Sequence, residues 1–495
     1  MKKLLPVLAG LAGLASCAKK DADAIEKVQD AQSASKKNYF QDYSVNPPLV
    51  SALPGSESLG INSLISSDDL LEQSPEFVFG AQPDGGALMR NPYGPGFILY
   101  NNHEITQSVS RVYLDKDLKP VKGEYIVDAS GGRWRLCSAT MATPDEHGFG
   151  PLFLTAGESG QESMVHGIDP FAPASDKSRG DRVLPALGKA SMENAVPLPK
   201  QAFPGKTVIV IGEDQGPSSS HLSAGQVALY VSDNVGDLDN GKFYVLKRSD
   251  NDVVETNLEV GNTYDVEFTE IADVKNKTGA QINSEAVAAN AIRFARVEDL
   301  DYRRGHPGNS REIYFVATGV SSNRIDPVPG FTMWGRLYKL VLDEKNPLKG
   351  KLTPVIDGFE NPGNSLVNPD NVVVTENYVY VQEDSDSYYV NNKHDAWVWQ
   401  YDIKTGINKP FITMNHRRDD PEFNAKYNPS NDSRLGTWEY GAMIDISDVV
   451  NVPNTFMLNI HPHTWRDNKY RNPDGSGLIS NNEGGQTVII TGVPR

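Results

Sequence analysis

The chain has 495 residues, a formal net charge of -17 from 64 acidic against 47 basic side chains, and only two cysteines. Such an acidic chain argues against nucleic acid and against an anionic membrane surface as partners, and it suits cation binding. No run after the N-terminus is apolar enough to cross a membrane as a helix.

At the N-terminus, Lys2 and Lys3 precede an apolar stretch from Leu4 to Ala15 that ends in Leu14-Ala15-Ser16-Cys17. The run is too short to span a bilayer, and small residues stand before the cysteine, so residues 1–17 read as a lipoprotein signal with lipidation at Cys17. An ordinary secretory signal with a chance cysteine is the blander alternative. Residues 18–46, rich in Lys, Asp, Ala, Gln and Ser, read as a flexible tether, and residues 47–495 as one folded domain. Lipidation of Cys17 leaves Cys137 as the sole thiol of the mature chain, with no intrachain disulfide possible. In an oxidising envelope such a thiol is either buried or bound to a metal.

Helical periodicity is scarce, with one short candidate at Ser284 to Asn290. Strand-like runs bounded by Gly, Pro, Asn and Asp dominate instead. In chain order they are 96–100, 152–155, 207–211, 226–232, 243–247, 312–317, 336–342, 378–382, 396–401 and 455–460. Several end alike, in Thr155-Ala156-Gly157-Glu158, Ile211-Gly212-Glu213-Asp214, Ala317-Thr318-Gly319 and Gln382-Glu383-Asp384. Taken as one, two and one repeat units, the spacings between Glu158, Glu213, Gly319 and Glu383 approach a propeller blade of about 40–50 residues. The fold class expected is all-β, a β-propeller with inserted loops, and the repeat would bring carboxylates to one end of a central channel.

The motifs of P-loop nucleotide binders, zinc proteases and α/β-hydrolases are absent. What remains is a set of acids at strand ends: Glu104 in Asn102-His103-Glu104, Glu193 in Met192-Glu193-Asn194-Ala195, Glu298 in Arg296-Val297-Glu298, and Asp370-Asn371 after Pro369. Carboxylate and amide oxygens suit calcium when several converge. Near the C-terminus, His461-Pro462-His463 sets two imidazoles two residues apart, either a transition-metal pair or a turn.

The order Asn-His-Glu, cysteine, Glu-x-Ala, Gly-Glu-Asp, Arg-x-Glu, Pro-Asp-Asn and Gln-Glu-Asp, running from about Gly96 to His463, resembles the PhoX-type alkaline phosphatases. The resemblance implies a propeller that holds iron (Fe3+) and calcium (Ca2+) and hydrolyses phosphate monoesters. Carried over residue by residue, it implies metal ligands at Glu104, Cys137, Glu158, Glu193 and Glu298 and a phosphate contact at Arg296; Asp370, Asn371, Glu383 and Asp384, at the ends of their strand runs, stand beside them as further candidate metal ligands. Clustered cations would activate water for in-line attack on phosphorus. The family's lysine upstream of the cysteine has no match; Arg133 and Arg135 stand nearby. Lys2-Lys3 replaces the twin arginines of many members, so iron would load after export.

The function expected is phosphate scavenging from small-molecule esters by a monomer anchored in the cell envelope, at the outer membrane or cell surface, that touches membrane through its lipid alone. The alternatives are a calcium propeller hydrolase of the lactonase or phosphotriesterase kind, built on Glu104, Glu298, Asn371 and Asp384, and a non-enzymatic calcium-stabilised binding propeller.

Overall fold

The structure is a computed structural model that describes residues 40–384 and 389–495. Cys17, the signal segment and residues 18–39 of the expected tether lie outside the described residues.

Two strands precede the repeats, β1 (Val50–Ala52) and β2 (Gly60–Ser66). The first blade comprises β3 (Pro83–Arg90), β4 (Phe97–His103), β5 (Ser108–Leu114) and β6 (Pro120–Val127). The second is β7 (Leu136–Ala142), β8 (Leu152–Gly157) and β9 (His166–Ile168). The third runs through β10 (Met192–Pro197), β11 (Thr207–Glu213), β12 (Val227–Ser232), β13 (Lys242–Arg248) and β14 (Tyr264–Ile271). The fourth is β15 (Val297–Tyr302), β16 (Glu312–Ala317), β17 (Arg336–Leu342) and β18 (Lys349–Asp357). The fifth holds β19 (Pro369–Val374), β20 (Tyr378–Glu383), β21 (Trp397–Asp402) and β22 (Asn408–Met414), and the sixth β23 (Glu439–Asp445), β24 (Thr455–His461) and β25 (Gln486–Thr491).

Within each blade successive strands pair antiparallel, and the innermost strands β3, β7, β10, β15, β19 and β23 lie side by side in a closed ring. The expected propeller is what the chain forms. β1 adds to β22 and β2 to β25, so N-terminal strands complete the fifth and sixth blades. The outer strands β14 and β18 pair as well, fusing blades three and four into one sheet.

The second strands are buried along their whole length in β4, β11 and β24, which is why they read as apolar runs. Between blades, wedges of aliphatic and aromatic side chains close the core; in one, Phe315 stacks on Tyr338 at 4.8 Å beside Phe294.

All six inner strands share one irregularity, a bulge near the start at which two residues face one on the partner strand. A bulge re-aims side chains and ends regular pairing. Here it turns Asp84, Cys137, Glu193, Glu298 and Asp370 toward one end of the central channel, with Gly441 at the corresponding place in blade six. Side chains then join neighbouring blades. Asn102 Nδ2 donates to the Cys137 carbonyl and to Thr155 Oγ1, Asn194 Nδ2 to Asp299, and Asp299 in turn accepts from the Val372 amide.

Three sequence expectations are corrected. The step from Glu213 to Gly319 is one blade and not two, lengthened by β14 and by the helix Gly279–Ala288. That helix starts earlier than Ser284, where Thr278 and Gln281 form a capping box, and it stops before Asn290, whose φ of 56° is left-handed. The folded part begins before residue 47: Tyr43 donates its amide to the Ser63 carbonyl, and the Asn46 side chain binds Ser66 and Tyr427. Among the described residues, no helix is long and apolar enough to cross a membrane.

Candidate metal centre

One end of the channel opens into a cavity of about 870 Å³. Two rings of acids build its wall. The bulges of the inner strands supply Asp84, Cys137, Glu193, Glu298 and Asp370, and the residues just after the second strands supply Glu104, Glu158, Asp214 and Asp384.

Three groups in this wall bring ligand atoms within 4.8 Å of one another: Asp84 with Cys137 and Glu193, Glu104 with Cys137 and Glu158, and Glu193 with Glu298 and Asp370. Cys137 and Glu193 each belong to two groups, so the groups adjoin. Carboxylates joined by one thiolate suit a transition ion such as iron, and the all-carboxylate group suits calcium. Among the described residues, the buried Asp84 Oδ1 has no hydrogen-bond partner. The donor set therefore fits hard and borderline cations.

Electrostatics point the same way. Burial, reinforced by neighbouring acids, holds the carboxyls of Asp84, Glu158, Glu193, Glu298 and Asp370 well above the usual carboxylate range, and raises Glu104. The Cys137 thiol, whose Sγ lies 3.6 Å from Glu158 Oε2, is pushed up by burial and then by Glu193 and Glu158. A cation reverses each of these shifts, since it favours the charged ligand.

Arg296 has a left-handed φ of 65°, which turns its side chain into the cavity. Asp214 holds it by two bonds, at 2.7 Å to Nε and 3.0 Å to Nη2, and Glu298 approaches Nη2 at 2.8 Å. Burial alone would weaken the charge, but Asp214 and Glu298 keep the guanidinium protonated. Among the described residues, Nη1 makes no hydrogen bond, so one edge is available to an anion. Arg135 also lines the cavity, 3.0 Å from Glu104, whereas Arg133 does not.

The structure thus brings together Glu104, Cys137, Glu158, Glu193, Arg296, Glu298, Asp370 and Asp384. It leaves out two of the expected ligands. Glu383 is fully buried outside the cavity and accepts from the amides of Val367 and Trp397 and from Trp399 Nε1, at 2.7–2.8 Å. Alternation along β20 puts Asp384, one residue on, at the channel. Asn371 is buried with its amide toward Asp370 and does not line the cavity. The repeat acid Glu213 is likewise off the site, in apolar surroundings that push it up to about 8, and Asp214 stands in its place.

Sequence reasoning missed Asp84, Glu439 and Glu483. Asp84 carried a usable signal, because Pro83-Asp84 repeats the Pro369-Asp370 pair at the same place in another blade.

No family model matches the chain, and no curated protein does. Among solved structures, PhoX of Pseudomonas fluorescens, determined in complex with vanadate as a transition-state analogue, superposes with a TM-score of 0.60 at 13% identity. The match covers 92% of this chain and 98% of that one. An aldose sugar dehydrogenase from Streptomyces coelicolor with bound PQQ matches at a TM-score of 0.38 and 10% identity, covering 90% and 100%. The α-L-arabinofuranosidase Arb93A of Fusarium graminearum matches at 0.39 and 11%, covering 87% and 97%. The likeness to PhoX is one of fold.

Proposed function

We propose that this protein is a metal-dependent phosphomonoesterase of the cell envelope, built like PhoX and tethered through a lipid on Cys17. The observation that carries the reading is the convergence of six carboxylates and the only thiol of the mature chain into three adjoining ligand groups, beside an arginine whose Nη1 makes no hydrogen bond among the described residues. Iron at the groups containing Cys137 and calcium at Glu193, Glu298 and Asp370 would supply positive charge and an activated water.

The protein's own residues do the rest. Asp214 fixes the plane of Arg296, so the guanidinium meets a phosphoryl group already oriented; such preorganised charge stabilises the equatorial oxygens of an in-line displacement. Arg135, paired with Glu104 at 3.0 Å, adds a second positive group to the wall. The cavity accepts a small ester, and the overall charge of -17 disfavours nucleic acid as substrate. The protein is expected to act as a monomer.

Two substitutions test the assignment. Arg296→Ala should lower kcat/KM for p-nitrophenyl phosphate by roughly 100-fold or more, the range for loss of one preorganised donor, with metal content retained. Cys137→Ser should lose iron while keeping calcium. Iron content unchanged in Cys137→Ser, or full activity without Arg296, would refute the reading.

A further inference from the structure

In the sixth blade's part of the cavity wall, a different set of donors meets. β23 and β24 pair so that Glu439 faces His461, and the turn at Pro462 brings His463 back to the same carboxylate. His461 Nδ1 contacts Glu439 Oε1, and His463 Nε2 lies 3.0 Å from Glu439 Oε2. The three donor atoms fall within 4.8 Å of one another.

The outer nitrogens settle the chemistry of the inner ones. His461 Nε2 is 2.8 Å from the Pro83 carbonyl, which can only accept, so Nε2 carries a proton. His463 Nδ1 is 3.0 Å from Glu483 Oε2, a carboxylate held in place by Arg466 at 2.6 Å and by Gln82 at 2.9 Å. In the neutral tautomers so fixed, both remaining lone pairs point at the Glu439 carboxylate, where they would repel it. Positive charge has to sit between them: two added protons, or one divalent ion of the same total charge. An imidazole whose far nitrogen donates to a carbonyl or carboxylate is the usual form of a metal-ligating histidine.

We propose that His461, His463 and Glu439 form a separate binding site for a divalent transition ion of the zinc type, with Glu483 and the Pro83 carbonyl as its supporting acceptors. Two imidazoles and one carboxylate select such an ion over calcium. Glu439 and His463 line the cavity, so a remaining coordination position opens toward substrate or water. Gly441 belongs to the design: a Cβ there would stand 2.5 Å from the Pro83 oxygen and 2.9 Å from His461 Nε2, breaking the contact that fixes the tautomer. The site shares no residue with the three groups around Cys137 and Glu193, so it stands or falls apart from the phosphatase reading.

Cobalt titration of the mature chain tests it, in the wild type and in Cys137→Ser to remove thiolate absorption. One equivalent should give the visible d–d bands of low-coordinate cobalt, together with two exchangeable, paramagnetically shifted imidazole N–H resonances. His463→Ala and Glu439→Gln should abolish the bands with unchanged tryptophan fluorescence, and Glu483→Gln should weaken binding by about tenfold. Bands that persist in both His463→Ala and Glu439→Gln, or rings that stay doubly protonated in the presence of cobalt, would overturn the proposal.

Discussion

At the scale of single residues, adjacent acids take opposite roles. Glu383 and Asp384 follow one another, yet only Asp384 faces the channel; Glu383 gathers two backbone amides and an indole N–H in a buried pocket. A carboxylate with three such partners is structural, and removing its charge leaves donors poorly matched. Glu383→Gln should therefore cost roughly 2–4 kcal/mol of stability, read as a lower denaturation midpoint, without changing metal stoichiometry. A lost metal ion in that variant would return Glu383 to the ligand set. Both residues stand in the same Gln-Glu-Asp motif, and nothing in the motif says which side chain points inward. That is fixed by strand phase, which one residue of slip reverses.

At the scale of elements, the ten strand runs legible in the sequence are the second, third and fourth strands of their blades. The six inner strands were not legible, for a physical reason. They are bulged and line a polar channel, so Met192–Pro197 or Val297–Tyr302 is buried throughout yet carries Glu193 and Asn194, or Glu298, Asp299 and Asp301. Buried polar strands break the apolar pattern by which strands are recognised. Glu193, Glu298 and Asp370 stood out only as isolated acids in short motifs, whose order the family resemblance then joined into one candidate site, and Asp84 and Glu439, also on inner strands, escaped both.

Those inner strands set a pH dependence. Their carboxyls titrate above the usual range because burial and mutual repulsion disfavour the charged forms. In the unfolded chain they ionise near pH 4. The stability they contribute is thus present below about pH 4 and is lost as the pH rises toward their folded-state values. Chelator-treated protein should melt at a lower temperature at about pH 8 than at about pH 5, and calcium should restore the loss most strongly at the higher pH. A melting temperature of the chelated protein that rises over that interval would contradict the assignment.

At the scale of the molecule, the ring is closed by chain ends that are far apart in sequence. β1 and β2 finish the blades whose other strands come from residues 369–491, and the Leu49 amide donates to the Gln486 side chain. A chain starting at Asp42 should fold with the full transition, whereas one starting after Ser67 should expose the edges of β22 and β25 and aggregate. A soluble, cooperatively melting protein without β1 and β2 would show that closure is dispensable. The repeat behind this ring was visible as strand ends, but its count was not, because the third blade carries an extra strand and a helix that double one spacing.

The whole arrangement gathers acids where only cations make them compatible, and the measurement that bears most directly on it is phosphatase activity across a cycle of metal removal and return. Purified mature protein should hydrolyse p-nitrophenyl phosphate, lose that activity on chelation with its fold retained, and regain it when calcium and iron are supplied. Activity that survives complete chelation, or metal-loaded protein that does not turn over phosphate monoesters, would contradict the account.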